Sequence, residues 1–583
     1  MPKTAERLAI DRRLLHLRAF LLCLAALLGG ALWFFQIVKG DQYVELASQN
    51  RLRILRLPAP RGEIVDRDGA PLGVNVRTFE VQGYPMDLLA EGNLDRVVQL
   101  LRRHGIPAAP TDLKERIERQ YVAPYRAVAV ASNLTLAQIA DLVSDPAFGN
   151  LLFPFPVWRR VYPAGPLAVH VVGYAAEISR EELEADASGR YRGGDVVGKS
   201  GVESTYEDLL RGEVGEIAVE VDSRGRRLRE VGHLEPRQGK KIRLTIDLAA
   251  QRFASELMGD RRGAIVALDV RDGAVRVLYS SPSYDSNPLA WGISAKEWGA
   301  LLGDRERPMM NRAMSGAYPP GSTFKAVTAT AGLEERVVSP QTTVYCPGAF
   351  TLGNRTFRCW RHSGHGSEAL LGALRDSCDV YFYQVGAWLG VDRLLKWAER
   401  FGVGRPTGID LPGESSGNLG GREWKRKRFG ESWYKGDTVN YAIGQGYLLM
   451  TPLQLARTYA AVANGGRLVV PHVYADVTPP APLVGASQGT IRLVEAGLVE
   501  VAARGTGRAA SGFGVSVAGK TGTAQNPHGE DHAWFAGYAP AENPRYAAVV
   551  LVEQGGHGAS VAAPLVGKLL AFLVEQDRRR ERR

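Results

Sequence analysis

Three short motifs, in chain order, hold residues that could carry out serine acyl transfer. They are Ser322-Thr-Phe-Lys325, Ser377-Cys-Asp379 and Lys520-Thr-Gly-Thr523. A serine hydroxyl is a weak nucleophile until a neighbour takes its proton. A lysine amine can do so when burial or a second cation lowers its pKa. Ser322 follows Tyr318-Pro-Pro-Gly321, a stop, and precedes Phe324, Val327 and Leu333 in a run of helix formers. Residues three apart on the helix that begins there share a face, so Lys325 falls beside the Ser322 hydroxyl.

The motifs then divide the reaction. Ser322 attacks a carbonyl and forms an ester, Lys325 accepts the proton, and Lys520 is the second cation. Ser377, in the motif completed by Asp379, relays a proton to the leaving amine. Thr521, Gly522 and Thr523 lie with Lys520 on a strand edge and bind a substrate carboxylate. The backbone N–H groups of Ser322 and Thr523 form an oxyanion hole, in which one donor is worth about 2.7–4 kcal/mol.

The first and third motifs each have an accidental double. Ser432-Trp-Tyr-Lys435 repeats the first spacing, with no helix expected after it. Lys199-Ser-Gly201 resembles the third. Gly193 to Ser200 fits the spacing of a phosphate-binding loop. A phosphate cradle needs a buried strand before it, and Ala-Ser-Gly-Arg-Tyr-Arg192 is no strand.

Cys346, Cys359, His365 and Cys378 form a second constellation, with His362 an alternative imidazole. Three thiols and one imidazole are the donor set of a closed tetrahedral zinc site. A Cys346–Cys359 disulfide and inert buried thiols are the competing readings. Cys378 stands between Ser377 and Asp379, so a bound ion would brace the second motif.

The compartment follows from one segment. Ala19 to Val38 carries no charge (AFLLCLAALLGGALWFFQIV). A helix of roughly 20 residues spans about 30 Å of hydrocarbon. Lys3, Arg7, Arg12, Arg13 and Arg18 precede it against Glu6 and Asp11, which places the N-terminus in the cytoplasm. Trp-Phe-Phe-Gln stands where a signal peptidase would need small residues, so the segment reads as an uncleaved anchor. The 583 residues, 23% charged with a net charge of +10, exclude global disorder, and no nucleic-acid-binding module is visible.

The remaining chain must position the motifs. Asp68-Gly69 reads as a turn between strands, and residues 86–145 as largely helical, with Leu94, Val97, Val98, Leu101, Leu113 and Ile117 at helical spacing. Ile242 to Asp247 reads as an alternating strand. Gly263 to Ser280 reads as a hairpin turning at Arg271-Asp272-Gly273. Helical patterns follow at 323–400 and 452–464, then strands at 515–524, 533–538 and 546–553, and a closing helix at 561–576. The Arg578–Arg583 run reads as a solvated tail. An antiparallel sheet built from the first hairpin and the last strands, with helices between them in sequence, is α+β.

At these residues the chain resembles the class B penicillin-binding proteins, and the elongation type more than the septal type. The resemblance covers the anchor, Arg61-Gly-Glu-Ile-Val-Asp-Arg67, Tyr162-Pro with His170-Val-Val-Gly-Tyr174, and Gly198-Lys-Ser-Gly-Val-Glu203. It continues through the Ser322 triplet, Trp424-Lys-Arg-Lys-Arg-Phe429 and Gly444-Gln-Gly-Tyr447. It implies a cytoplasmic tail (1–18), a transmembrane helix (19–38), an extended β-rich non-catalytic pedestal (39–236) and a β-lactamase-like serine transpeptidase domain (237–583). It also implies single-pass residence in the bacterial inner membrane, with the catalytic domain outside.

The implied substrate is a peptidoglycan stem ending in D-Ala-D-Ala, acylated on Ser322 with release of D-Ala and passed to a neighbouring amine. β-Lactams would acylate the same serine. The implied partners are a SEDS-family glycosyltransferase and other elongation-complex membrane proteins. Elongation-type relatives are associated with a metal in the Cys346–Cys378 stretch, which favours zinc there. The family's usual S-x-N is S-x-D in this chain, which puts any substrate contact by Asp379 in doubt. A β-lactamase or D,D-carboxypeptidase would use the same motifs without needing a pedestal. A β-lactam receptor or an inactive scaffold is the non-enzymatic alternative.

Overall fold

The computed structural model describes residues 3–43, 52–120, 127–149, 151–221 and 227–582. An N-terminal helix, α1 (Lys3–Trp33), continues through a wider turn at Phe34–Val38. Its apolar window, Arg13–Val38, is long enough to cross a membrane and has no buried share. From Phe20 to Val38 the side chains are exposed apart from a half-buried Ala31, with no covering element among the described residues.

The rest divides into two compact units. In the first, β1 (Leu52–Leu57) pairs with a later strand, Gly215–Val221, which also pairs with Arg227–Leu234. Ile217, Val219 and Val221 alternate inward there, with Leu57 against them. Two helices of the same unit, α2 (Asn93–Arg103) and α3 (Pro110–Gln120), bury Val97, Val98, Leu101, Leu113 and Ile117. The expected helical stretch is broken by a strand, β2 (Val128–Leu134). Val128 and Val130 are β-branched and fully buried, so packing against the helices favours a pleated segment.

The second unit is built on a five-stranded antiparallel sheet: β3 (Gly263–Asp269), β4 (Val275–Ser281), β5 (Ala518–Ala524), β6 (His532–Ala539) and β7 (Tyr546–Val552). Their order is β4-β3-β7-β6-β5. The hairpin and the closing strands form this sheet as their patterns require. Alternate residues face opposite ways. Ile265, Ala267 and Val550 pack with α4 (Leu248–Met258) and the C-terminal helix, Ala562–Glu581. Val266, Leu268 and Leu551 face the larger core, which contains α5 (Lys325–Glu334) and α6 (Pro452–Ala463). Ile242 to Asp247 departs from the expected strand. Only Ile242–Arg243 is extended in a ladder, because the Asp247 side chain caps α4 by accepting from Ala250 N–H.

Two buried ion clusters hold distant segments of this unit. Glu203 is completely buried and accepts from Arg61 Nη2 (2.7 Å), Arg160 Nε (2.6 Å) and Tyr162 OH (3.2 Å). Burial works against its charge, but Arg160 and Arg61 hold its carboxyl below the usual range. Removing one partner of such a cluster leaves an uncompensated charge, at about 3–5 kcal/mol. The second cluster corrects the C-terminal expectation. The last helix runs to Glu581, and Arg580 donates to Asp68 (2.5 Å) and to the buried Asp247 (2.6 Å). The run is helical through Glu581, and Arg580 is drawn onto carboxylates of the fold, while Arg578, Arg579 and Arg582 are exposed, so the solvated-tail reading fails at Arg580.

Candidate active site and metal centre

Ser322 sits in a 3₁₀ turn, Gly321–Phe324, that passes into α5 at Lys325. Residues i and i+3 eclipse in such a turn, which stacks Lys325 on the Ser322 side. The turn is wedged in place. Gly321 has φ +56°, and a Cβ there would lie 2.9 Å from the Thr523 carbonyl oxygen. Its N–H donates to the Gly444 carbonyl at 2.9 Å, and a Cβ on Gly444 would meet Gly321 O at 2.1 Å. The Tyr459 hydroxyl donates to Thr323 O from below, at 2.8 Å.

Lys325 is fully buried, and its Nζ donates to Ser377 O (2.9 Å), Ser377 Oγ (3.2 Å) and Asp379 Oδ1 (2.7 Å). Ser377 turns both oxygens inward by adopting φ +55°, a conformation that costs a non-glycine residue about 1–3 kcal/mol. Asp379 opens the helix Asp379–Leu389, and its second oxygen accepts the Trp360 N–H at 2.9 Å. Each oxygen of the carboxylate thus has a partner within the protein, Lys325 on one and a backbone amide on the other.

The third motif lies on β5, at the edge of the sheet against the turn. An edge strand leaves N–H and C=O groups for an added chain. Thr521 Oγ1 bonds Thr506 Oγ1 (2.9 Å), and Gln445 Nε2 donates to Thr523 O (3.2 Å). Lys520 is completely buried, with Nζ reaching only Thr521 O (3.3 Å) and Thr521 Oγ1 (3.4 Å) among the described residues. Burial, and then the charge of Lys325, push the Lys520 amine far below its ordinary range. Lys325 has a carboxylate partner in Asp379, whereas Lys520 has none within hydrogen-bond reach among the described residues.

Sequence reading did not single out Trp360, Tyr459 or Thr506. Each acts through a backbone group or a side chain distant in sequence, and no local pattern marks it. Gln445 did lie in a quoted motif.

The four metal-type residues also converge. The donor atoms of Cys346, Cys359, His365 and Cys378 lie within 4.8 Å of one another. All three cysteines are free, so the disulfide reading is set aside. His365 Nδ1 lies 3.6 Å from both Cys346 Sγ and Cys359 Sγ. A hydrogen bond between Cys359 and Cys378 pushes the Cys359 thiol down, toward the thiolate that metals bind, and the Cys378 thiol up. The cluster could hold a metal ion. It touches the catalytic motifs twice, through Cys378 between Ser377 and Asp379, and through Cys359 beside Trp360.

The doubles fall away on geometry. Lys199 pairs with Glu182, and only a five-residue helix, Gly201–Thr205, follows it. That leaves no long helix to cradle phosphate. A helix does follow Ser432, contrary to expectation. It is Lys435–Ala442, started by Tyr434 N–H donating to Asp437 (2.8 Å). Ser432 and Lys435 are nonetheless both exposed.

Residues 263–571 match the penicillin binding protein transpeptidase domain, and residues 56–244 the penicillin-binding protein dimerisation domain. The chain is 37% identical to the peptidoglycan D,D-transpeptidase MrdA of Haemophilus influenzae, over 98% of this chain and 93% of that protein. Against the Escherichia coli K12 protein of the same name the identity is 35%, over 98% and 95%. Among solved structures, the PBP2–MreC complex from Helicobacter pylori superposes with a TM-score of 0.83 at 31% identity, covering 90% of this chain and 99% of that one. A peptidoglycan synthase complex that coordinates polymerization and crosslinking gives 0.74 at 32% identity, covering 96% and 98%.

Proposed function

The chain belongs to the class B penicillin-binding proteins, as a serine-type peptidoglycan D,D-transpeptidase of the elongation type, and from that premise we propose how its residues divide the work. The Ser322 hydroxyl attacks the carbonyl between the two D-alanines of a stem peptide. The proton leaves to the Lys325 amine in its neutral, proton-accepting form, and the oxyanion gathers between the N–H groups of Ser322 and Thr523. The C–N bond breaks, the proton held by Lys325 passes through Ser377 to the departing D-Ala amine, and the stem remains as an ester on Ser322. An amine of a second stem then attacks the ester, forms the cross-link amide and returns the proton to Ser322. Lys520, Thr521 and Gly522 line the strand edge that receives the terminal carboxylate. β-Lactams follow the first half of this path.

The observation that carries this reading is the convergence of the motifs. Lys325 is buried against Ser377 and Asp379 one 3₁₀ turn from Ser322, and Thr523 lies against Gly321. The test is cross-linking of lipid-linked precursor by the full chain, with and without a SEDS glycosyltransferase. Cross-links should form with release of D-Ala and vanish in Ser322→Ala; cross-links by that variant would refute the assignment.

The cysteine cluster would hold one zinc ion through three thiolates and His365 Nδ1. With Zn–S near about 2.3 Å and Zn–N near about 2.05 Å, a tetrahedral S–N edge is about 3.6 Å. The observed separations agree. The ion would contribute only structural bracing of the second motif.

The four segments 1–18, 19–38, 39–236 and 237–583 would serve as tail, anchor, pedestal and catalytic domain. The N-terminal helix would place the chain in the inner membrane with its N-terminus cytoplasmic. A SEDS glycosyltransferase and elongation-complex proteins are its partners in this reading, by similarity to the complexes of its relatives.

A further inference from the structure

A short helix, Arg422–Phe429, ends in Arg426, Lys427, Arg428 and Phe429, all exposed. Among the described residues none of these three cations forms an ion pair, whereas their neighbour Lys425 is buried and bonded to Asp437 at 2.7 Å. Cations favour a helix C-terminus, which accounts for their place on the helix. It does not account for the aromatic rings beside them. Phe429 is 52% exposed and Tyr434 57% exposed. Tyr434 is fixed by Lys425 Nζ, 4.2 Å from its ring centroid.

Ring contacts run inward from the patch, through the buried Tyr441 and Phe324, to the turn that carries Ser322. Phe429 lies 5.6 Å from Tyr447, and Tyr447 6.0 Å from Trp433. Trp433 lies 6.4 Å from Tyr441, and Tyr441 5.7 Å from Phe324, two residues after Ser322. The same 444–447 segment sends Gln445 to Thr523.

We propose that this patch is a docking subsite for a peptidoglycan strand, holding the polymer while its stem reaches Ser322. The inference rests on the transpeptidase reading and extends it. Unpaired cations beside exposed rings fit a polymer whose peptides carry carboxylates and whose sugars offer apolar ring faces. Continuity with the nucleophile's helix favours the strand over a lipid surface.

The test uses the full chain in detergent and purified un-cross-linked peptidoglycan strands with intact stems. Arg426→Ala, Lys427→Ala and Arg428→Ala combined, and Phe429→Ala alone, should each weaken strand binding at least fivefold. The triple variant should also lose most of the salt dependence. Strands with amidated carboxylates should bind wild type as weakly as intact strands bind the triple variant. Labelling by penicillin, which is too small to reach the patch, should stay within twofold of wild type. If the triple variant does not label, the exposed single changes Lys427→Gln and Arg428→Gln carry the measurement. Unchanged strand binding in variants that label normally would overturn the subsite. So would loss confined to phosphatidylglycerol vesicles. A wild-type chain that penicillin does not label would instead sink the transpeptidase reading itself.

Discussion

Asp379 Oδ1 accepts a hydrogen bond from Lys325 Nζ at 2.7 Å, and neither side chain is more than 10% exposed. The second motif therefore grips the first by its amine. The turn at Ser377, strained at φ +55°, is the backbone cost of that grip. Asp379→Ala would strip the buried Lys325 amine of its carboxylate partner, at about 3–5 kcal/mol. Its unfolding midpoint should fall, and penicillin acylation should drop at least a hundredfold. Asp379→Asn keeps an acceptor oxygen and should lose much less of both. Denaturant melts and labelling time courses on the two variants check this; equal losses would show that the oxygen at this position is immaterial.

The cysteine cluster should bring about one zinc per chain by elemental analysis, and Cys359→Ser should lower that content. Because Cys359 precedes the residue whose N–H holds Asp379, acylation should slow in the same variant. A chain that purifies without metal and acylates at the full rate would contradict the bracing role.

His170 supplies a pH signature. It is half-buried with its Nε2–H donating to Pro308 O at 2.8 Å, and loss of solvent around the ring holds its pKa down to about 4, against 6.5 when free. Between those values the unfolded chain binds a proton that the folded chain refuses, so stability falls as pH falls. The whole loss is about 3 kcal/mol, levelling off below pH 4. Melting between pH 7 and 4.5 should show wild type losing more than His170→Gln. Parallel curves would show that the imidazole is protonated in the fold.

Much of this site could be read in the chain because its chemistry sits in short motifs. Ser322, Ser377 and Lys520 lie 55 and 143 positions apart in sequence, yet each is marked by immediate neighbours that set its local backbone. The sheet was legible for the same reason, since β3 and β7 alternate or run continuously apolar. What stayed hidden depends on distant packing. Strand β2 interrupts a helical pattern because Val128 and Val130 pack against helices earlier in the chain. Arg580 meets Asp68 and Asp247 only once the last helix lies along the sheet, so its charge run looked like a tail. The pairing of Asp379 with Lys325 rather than Lys520 follows from where the fold brings the second motif. Spacing alone does not encode that placement.

Intact-mass spectrometry of the full chain after incubation with penicillin, followed by peptide mapping, bears most directly on Ser322 as the nucleophile. One adduct per chain is expected, on the peptide containing Ser322, and none in Ser322→Ala. An adduct that persists in that variant, or that maps to Ser377 or Ser432, would contradict the assignment.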